Sequence, residues 1–155
     1  MTRTPTQRVQ RNTSEVINRQ IAADIRASVR YHAIHPEEID DRLAELEEEW
    51  DIERTLEANA SSLAFIGIVL GATVDKRWLA LPAAVTAFLF QHATQGWCPP
   101  LPVLRRLGFR TAEEISQEKY ALKALRGDFD GVSNKEGSGK MQPALHAVGL
   151  RGAAE

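Results

Sequence analysis

The stretch Ala58 to Cys98, ANASSLAFIGIVLGATVDKRWLALPAAVTAFLFQHATQGWC, decides the fold. It carries no charge from Ala58 to Val74, breaks at Asp75-Lys76-Arg77, and opens a second uncharged run from Trp78 to Leu104. At about 1.5 Å per residue the first run makes a helix roughly 25 Å long, close to a hydrocarbon core of about 30 Å. Leu56 and the stem of Arg54 extend it. Trp78 and Trp97 bracket the second run about 28 Å apart along a helix, the separation of two interfacial aromatic belts. The pattern predicts two membrane-spanning helices joined by a tight turn.

Small residues then suggest how the two helices meet. Ala60, Ala64, Gly67 and Gly71 fall on one face of the first run, and Ala80, Ala84 and Ala87 form a matching narrow face on the second. Such faces permit close backbone approach without a hydrophobic force that lipid would cancel. Leu63, Phe65, Ile66, Ile68, Val69 and Leu70 are then expected to face acyl chains. A soluble bundle, with the hairpin buried by flanking helices, stays open as an alternative, because runs of this length also occur as core helices. Asn59, Ser61 and Ser62 dilute the start of the first span, and Gln91, His92, Thr94 and Gln95 the end of the second.

The 155 residues make one small domain with tails. The net charge of -2 is less informative than its distribution: acidic residues crowd Pro36 to Glu57, whereas Leu104 to Arg126 leans basic. No nucleic-acid surface is expected. The single cysteine, Cys98, excludes an internal disulfide and a cysteine-based zinc framework. Met1 to Arg11 is polar and basic without an apolar stretch, so no signal peptide is expected, which fits insertion of an internal hairpin into a bacterial cytoplasmic membrane.

The flanks read as helices and tails. Residues 1–12 offer almost nothing apolar and are expected to be disordered. Residues 13–57 predict an amphipathic helical hairpin. Thr13 or Ser14 caps a helix with Ile17, Ile21, Ile25 and Val29 on one stripe, which needs a partner: the next helix, the membrane interface or a second subunit. Pro36 starts the second helix, with Ile39, Leu43, Leu46 and Trp50 as a seam. No proline or glycine interrupts Glu37 to Ile66, so one long bent helix is expected to enter the first span. Three prolines at Pro99, Pro100 and Pro102 forbid a helix interior and close the segment 58–104 with a sharp turn. Residues 105–127 predict an interfacial segment, with Arg105 and Arg106 reaching head groups, and a helix opened by a Thr111 and Glu114 capping box and stopped near Gly127. Residues 128–155 read as a flexible tail with a weak helical tendency around Ala144 to Leu150.

Trp50 to Thr111 resembles the YgaP-like transmembrane domain family, small bacterial inner-membrane domains of unknown function. Asp51-Ile52-Glu53-Arg54, the small-residue first span, Gly96-Trp97-Cys98-Pro99 and Leu107-Gly108-Phe109-Arg110-Thr111 carry the resemblance. It implies a membrane hairpin. In that family the domain stands alone or beside a rhodanese sulfurtransferase domain; here Cys98 sits at a membrane boundary rather than in an anion-cradling loop, so sulfurtransferase activity does not carry over.

Little else suggests chemistry. Cys98 near His92 is a possible thiol site, but the negative end of a helix disfavours a thiolate and a packing role is expected. His92 is a polar residue within a span and so a functional candidate, with interfacial water and carbonyls as the plainer partners. His32 and His35 suit capping of a helix end better than metal binding. No catalytic constellation, metal site or cofactor pattern is recognisable. The expectation is an all-α, non-enzymatic inner-membrane interaction or scaffold module with Trp78, Trp97, Arg105 and Arg106 as anchors. Its partners are the lipid bilayer and a second copy or another membrane protein. Arg42, Arg54, Arg105, Arg106 and Arg110 outnumber Lys76 and Arg77, which puts both termini in the cytoplasm. A sulfur-handling or redox accessory using Cys98 remains the alternative.

Overall fold

A computed structural model describes residues 7–133 and 137–149. Among them the chain is all-helical: α1 (Arg8–Arg11), α2 (Glu15–His32), α3 (Ile39–Glu48), α4 (Ile52–Thr73), α5 (Ala80–Gln95), α6 (Leu101–Arg106), α7 (Ala112–Arg126), α8 (Asp130–Ser133) and α9 (Met141–Ala147), with 3-10 turns at Pro36–Glu38, Lys76–Leu79 and Gly137–Lys140. Contacts divide the chain into two units that interleave in sequence. One joins residues up to 23 with 50–115, the other joins 24–49 with 116 onward.

In the first unit α4 and α5 form the expected hairpin. Asp51 leaves the helical region and its carboxylate accepts from the Arg54 amide at 2.7 Å, which fixes the start of α4. Glu49 is extended (ψ 129°), so the chain breaks between α3 and α4 and the single long helix expected from Glu37 onward does not form. Trp50 leaves its seam with this break. It is exposed, with the Arg54 guanidinium 4.3 Å from its ring centre, while Ile39, Leu43 and Leu46 stay buried.

Gly67 and Gly71 are buried against the start of α5: a Cβ on Gly67 would lie 2.5 Å from Pro82 Cδ, and one on Gly71 2.5 Å from Leu79 Cδ2. The second face differs from expectation. Ala80, Ala84 and Ala87 are exposed, and the half-buried Leu81, Pro82, Val85 and Leu89 occupy the opposite side of α5. The glycine groove takes large side chains rather than matching alanines, since what removes the gap is volume on one helix and its absence on the other.

Among the described residues one helical stretch, Pro36–Thr73, with its interruption at Glu49 to Asp51, is long and apolar enough to cross a membrane by length and composition. Shortened by the 3-10 turn before it, α5 has 16 residues.

Residues 7–12, expected to be disordered, carry α1, whose Val9 is buried with Ile52, Leu56, Cys98 and Leu101. A single valine suffices because its neighbours anchor the turn by hydrogen bonds described below. The first six residues of the expected disordered segment lie outside the described residues. Pro100 and Pro102 stand at the start of α6, where a missing N–H has no intrahelical partner to lose.

In the second unit the later part of α2, α3 and α7 meet at Glu118, which is fully buried and accepts from Ser28 Oγ at 2.6 Å and Arg42 Nε at 2.9 Å. Lys119 pairs with Glu47 at 2.9 Å, and Arg126 pairs with Asp40 and Asp128. The expected flexible tail is helical over α8 and α9: Ala147 is buried, and its carbonyl accepts from Lys123 Nζ at 3.1 Å. Its residues 134–136 and 150–155 lie outside the described ones.

Candidate functional site

The open end of the α4/α5 hairpin, where α1 and α6 also arrive, brings together the first unit's least expected chemistry. Gly96 adopts a left-handed conformation (φ 73°) and ends α5, its amide donating to the His92 carbonyl at 2.7 Å. Other carbonyls of that last turn are met from α1: Arg8 Nη1 donates to Ala93 O and Asn12 Nδ2 to Gln95 O, both at 3.0 Å. The polar amino terminus thus works as a cap. Nothing in its hydropathy announced this, since the signal is a set of donors rather than a hydrophobic stripe.

His92 sits on that last turn and is buried. Its Nε2 is 2.8 Å from Glu53 Oε2 on the first turn of α4, and the other Glu53 oxygen lies 3.6 Å from Arg8 Nη2. An ionised carboxylate only accepts, so Nε2 carries the hydrogen. Nδ1 is buried without a hydrogen-bond partner. The side-chain partner that His92 meets is a carboxylate 39 residues away, which no local pattern marks.

Beside His92 lies a cavity of about 370 Å³ lined by α4, α5 and the Cys98 to Leu104 segment. Its wall is mostly apolar, from Leu56, Leu63, Val85, Phe88 and Leu104. Cys98 is part of that wall and is buried; burial pushes its thiol up and Glu53 adds to this, against a smaller opposing effect of its backbone hydrogen bond with Leu101. A raised thiol is a poor nucleophile at neutral pH.

On α6, Arg105 departs most from its expected role. It reaches no interface: it is 1% exposed, and all its guanidinium nitrogens donate inward. Nη1 and Nη2 grip Glu114 Oε2 and Oε1 at 2.7 and 2.8 Å; Nη1 also bonds Phe109 O, Nη2 Asn18 Oδ1 at 3.0 Å, and Nε Thr13 Oγ1 at 3.2 Å. Glu114 in turn accepts from the Thr111 amide at 2.8 Å, and Thr111 Oγ1 accepts from the Glu114 amide at 3.2 Å, completing the capping box that opens α7. Arg106 stays exposed, as do Trp78 and Trp97.

In the second unit His32 is buried and bonds the Ser28 carbonyl, while His35 stacks on Tyr31 with ring centres 4.2 Å apart. Among the described residues no group of three or more His, Cys, Asp or Glu side chains could hold a metal ion.

The class these features define is an all-helical protein with one helix long and apolar enough to cross a membrane. Compared with protein families, curated proteins and solved structures, the chain matches none.

Proposed function

We propose that the protein is a non-enzymatic membrane anchor of a bacterial cytoplasmic membrane, with α4 and α5 as two spans and the second unit as a cytoplasmic interaction module. The observation that carries this reading is the exposure of large apolar side chains around the hairpin. Leu63, Phe65, Ile66, Ile68, Phe88 and Phe90 are all exposed, and only 22% of the apolar window of Pro36–Thr73 is buried. A core helix of a soluble protein would be mostly covered, and a contiguous patch this apolar marks a partner or a bilayer. Although α5 alone is short, the 3-10 turn Lys76–Leu79 continues it, and 20 residues from Lys76 to Gln95 are about 32 Å at the rises of the two helix types. The resemblance of Trp50 to Thr111 to YgaP-like domains supports the same reading.

For orientation, Arg42, Arg54, Arg105, Arg106 and Arg110 outnumber Lys76 and Arg77, and the bias depends on the count of Lys and Arg rather than on net charge, which favours cytoplasmic termini. Alkaline carbonate washing should leave the protein in the membrane pellet, and release into the wash would return the chain to a soluble bundle. A fluorescent-protein fusion at Glu155 should shine, while a phosphatase fusion there should be inactive; the opposite pair of results would invert the topology.

A further inference from the structure

We infer that the cleft between the end of α2 and the start of α3 is a binding site for a linear aliphatic polyamine, whose ammonium groups donate to His32 Nε2 and to a row of carboxylates on Glu38, Asp41 and Glu45. The histidine comes first. His32 is 7% exposed and lines the cleft. Its Nδ1 lies 2.8 Å from the Ser28 carbonyl oxygen, which only accepts, so Nδ1 carries the hydrogen and Nε2 of the neutral ring presents a bare lone pair. Nε2 has no hydrogen-bond partner among the described residues, yet it is not sealed from the surface as His92 Nδ1 is. The small exposed part of His32 therefore includes this nitrogen, and the space it borders is the cleft.

The carboxylates come second. Glu38, Asp41 and Glu45 stand three and four residues apart, so the start of α3 sets them in a row on one face, with neighbouring Cβ atoms about 5–6 Å apart. Tyr31 Oη donates to Glu38 at 3.1 Å and Arg42 Nη1 to Glu45 at 2.8 Å, which holds the two ends of the row in place. Arg42 does not neutralise the wall, because its Nε also serves the fully buried Glu118 at 2.9 Å and four carboxylates share one guanidinium. Such a wall repels anions. Among the described residues these groups are not gathered to hold a metal ion, which leaves an organic cation. A linear polyamine carries ammonium groups at intervals of a few methylenes, comparable with the spacing of the row, and each has hydrogens for more than one acceptor. The cleft, of about 510 Å³, is within the range of small-molecule pockets. It lies wholly within the second unit and stands whether or not the hairpin enters a membrane.

The test titrates spermidine into the full-length protein in detergent, read by calorimetry and by nitrogen NMR of the imidazole rings. Saturable binding is expected, with the His32 Nε2 resonance moving while Nδ1 stays. Spermidine acetylated at both ends keeps the chain but loses its terminal charges, and should bind at least about tenfold more weakly. Asp41→Asn, at an exposed position in the row, should weaken spermidine about fivefold to tenfold. Glu48→Gln removes the same charge from an exposed position outside the cleft and should leave the affinity within about twofold. His32→Leu should weaken binding about tenfold, and where that variant does not fold, Asp41→Asn and the Nε2 resonance of the parent decide. Equal weakening by Asp41→Asn and Glu48→Gln, equal affinity for the acetylated amine, or an unmoved Nε2 resonance would reduce the row to an ordinary acidic surface and overturn the inference.

Discussion

Replacing Arg105 by methionine should be the most damaging single substitution in the first unit. The side chain is 1% exposed and places five donor contacts on four partners, two of them the paired oxygens of Glu114. Methionine fills comparable space but leaves a buried carboxylate with the Thr111 amide as its main remaining donor. Removing one member of a buried ion pair costs about 3–5 kcal/mol, because the other charge stays uncompensated. For a chain of this size that is a fall of about 6–20 °C in Tm, at about 2–4 °C per kcal/mol. Arg105→Lys should recover only part, since an ammonium cannot grip both Glu114 oxygens while reaching Thr13 and Asn18. Adding Glu114→Leu to Arg105→Met should restore stability relative to the single variant, giving a coupling of at least about 1 kcal/mol. Thermal unfolding in detergent, followed by circular dichroism, reads all three. An Arg105→Met protein within about 1 kcal/mol of the parent would mean that the guanidinium lies in solvent or among head groups, and the network argument would fail.

Acid titration should show the same pair from the other side. Burial pushes Glu114 up, but the Arg105 and Thr111 hydrogen bonds outweigh it and hold the carboxyl below its ordinary 4.5. A depressed value contributes stability that is present above 4.5 and lost as pH falls through the folded-state value, so the parent should weaken on acidification below 4.5. In Arg105→Met the sign of Glu114's contribution should reverse, and an unchanged pH slope would refute this. Gly67→Ala should destabilise by about 1–3 kcal/mol because its Cβ meets the rigid Pro82 ring, whereas Gly71→Ala meets a mobile Leu79 methyl and should cost less; the reverse order in thermal melts would contradict the packing. Cys98, buried with a raised thiol, should react with iodoacetamide far more slowly at neutral pH than after denaturation, and rapid native labelling would revive a redox role.

What the sequence made legible was periodic or punctuated. The uncharged run from Ala58 to Val74, the capping box at Thr111 and Glu114, and the stop at Gly127 each depend on neighbours within one or two helical turns. The contacts across the hairpin were legible only by half. Gly67 and Gly71 marked their own face, but the residues they meet are Leu79, Leu81 and Pro82, while Ala80, Ala84 and Ala87 lie outward. The break before α4 was hidden because it needs no proline or glycine. An extended Glu49 and the Asp51 side chain suffice, and a capping aspartate inside an acidic run has no distinctive context.

The charged residues were hardest to place, and they organise the site. Arg105 and Arg106 are adjacent and chemically identical, so composition assigns them one fate. A helix points them about 100° apart, one toward Glu114 and the other to the exterior. The same holds for Glu53, one acid among many around the start of the first span, which meets His92 because α5, lengthened by the 3-10 turn Lys76–Leu79, returns antiparallel to the start of α4. Ions and imidazoles carry no periodic mark of their partners, because partners 39 or 87 residues away are chosen by the hairpin and not by local spacing. The apolar pattern therefore sets the scaffold, and the scaffold selects which of many similar charges becomes buried. The unmatched nitrogen of His92 is a consequence of that selection: Glu53 satisfies one side of the ring, and no group among the described residues satisfies the other.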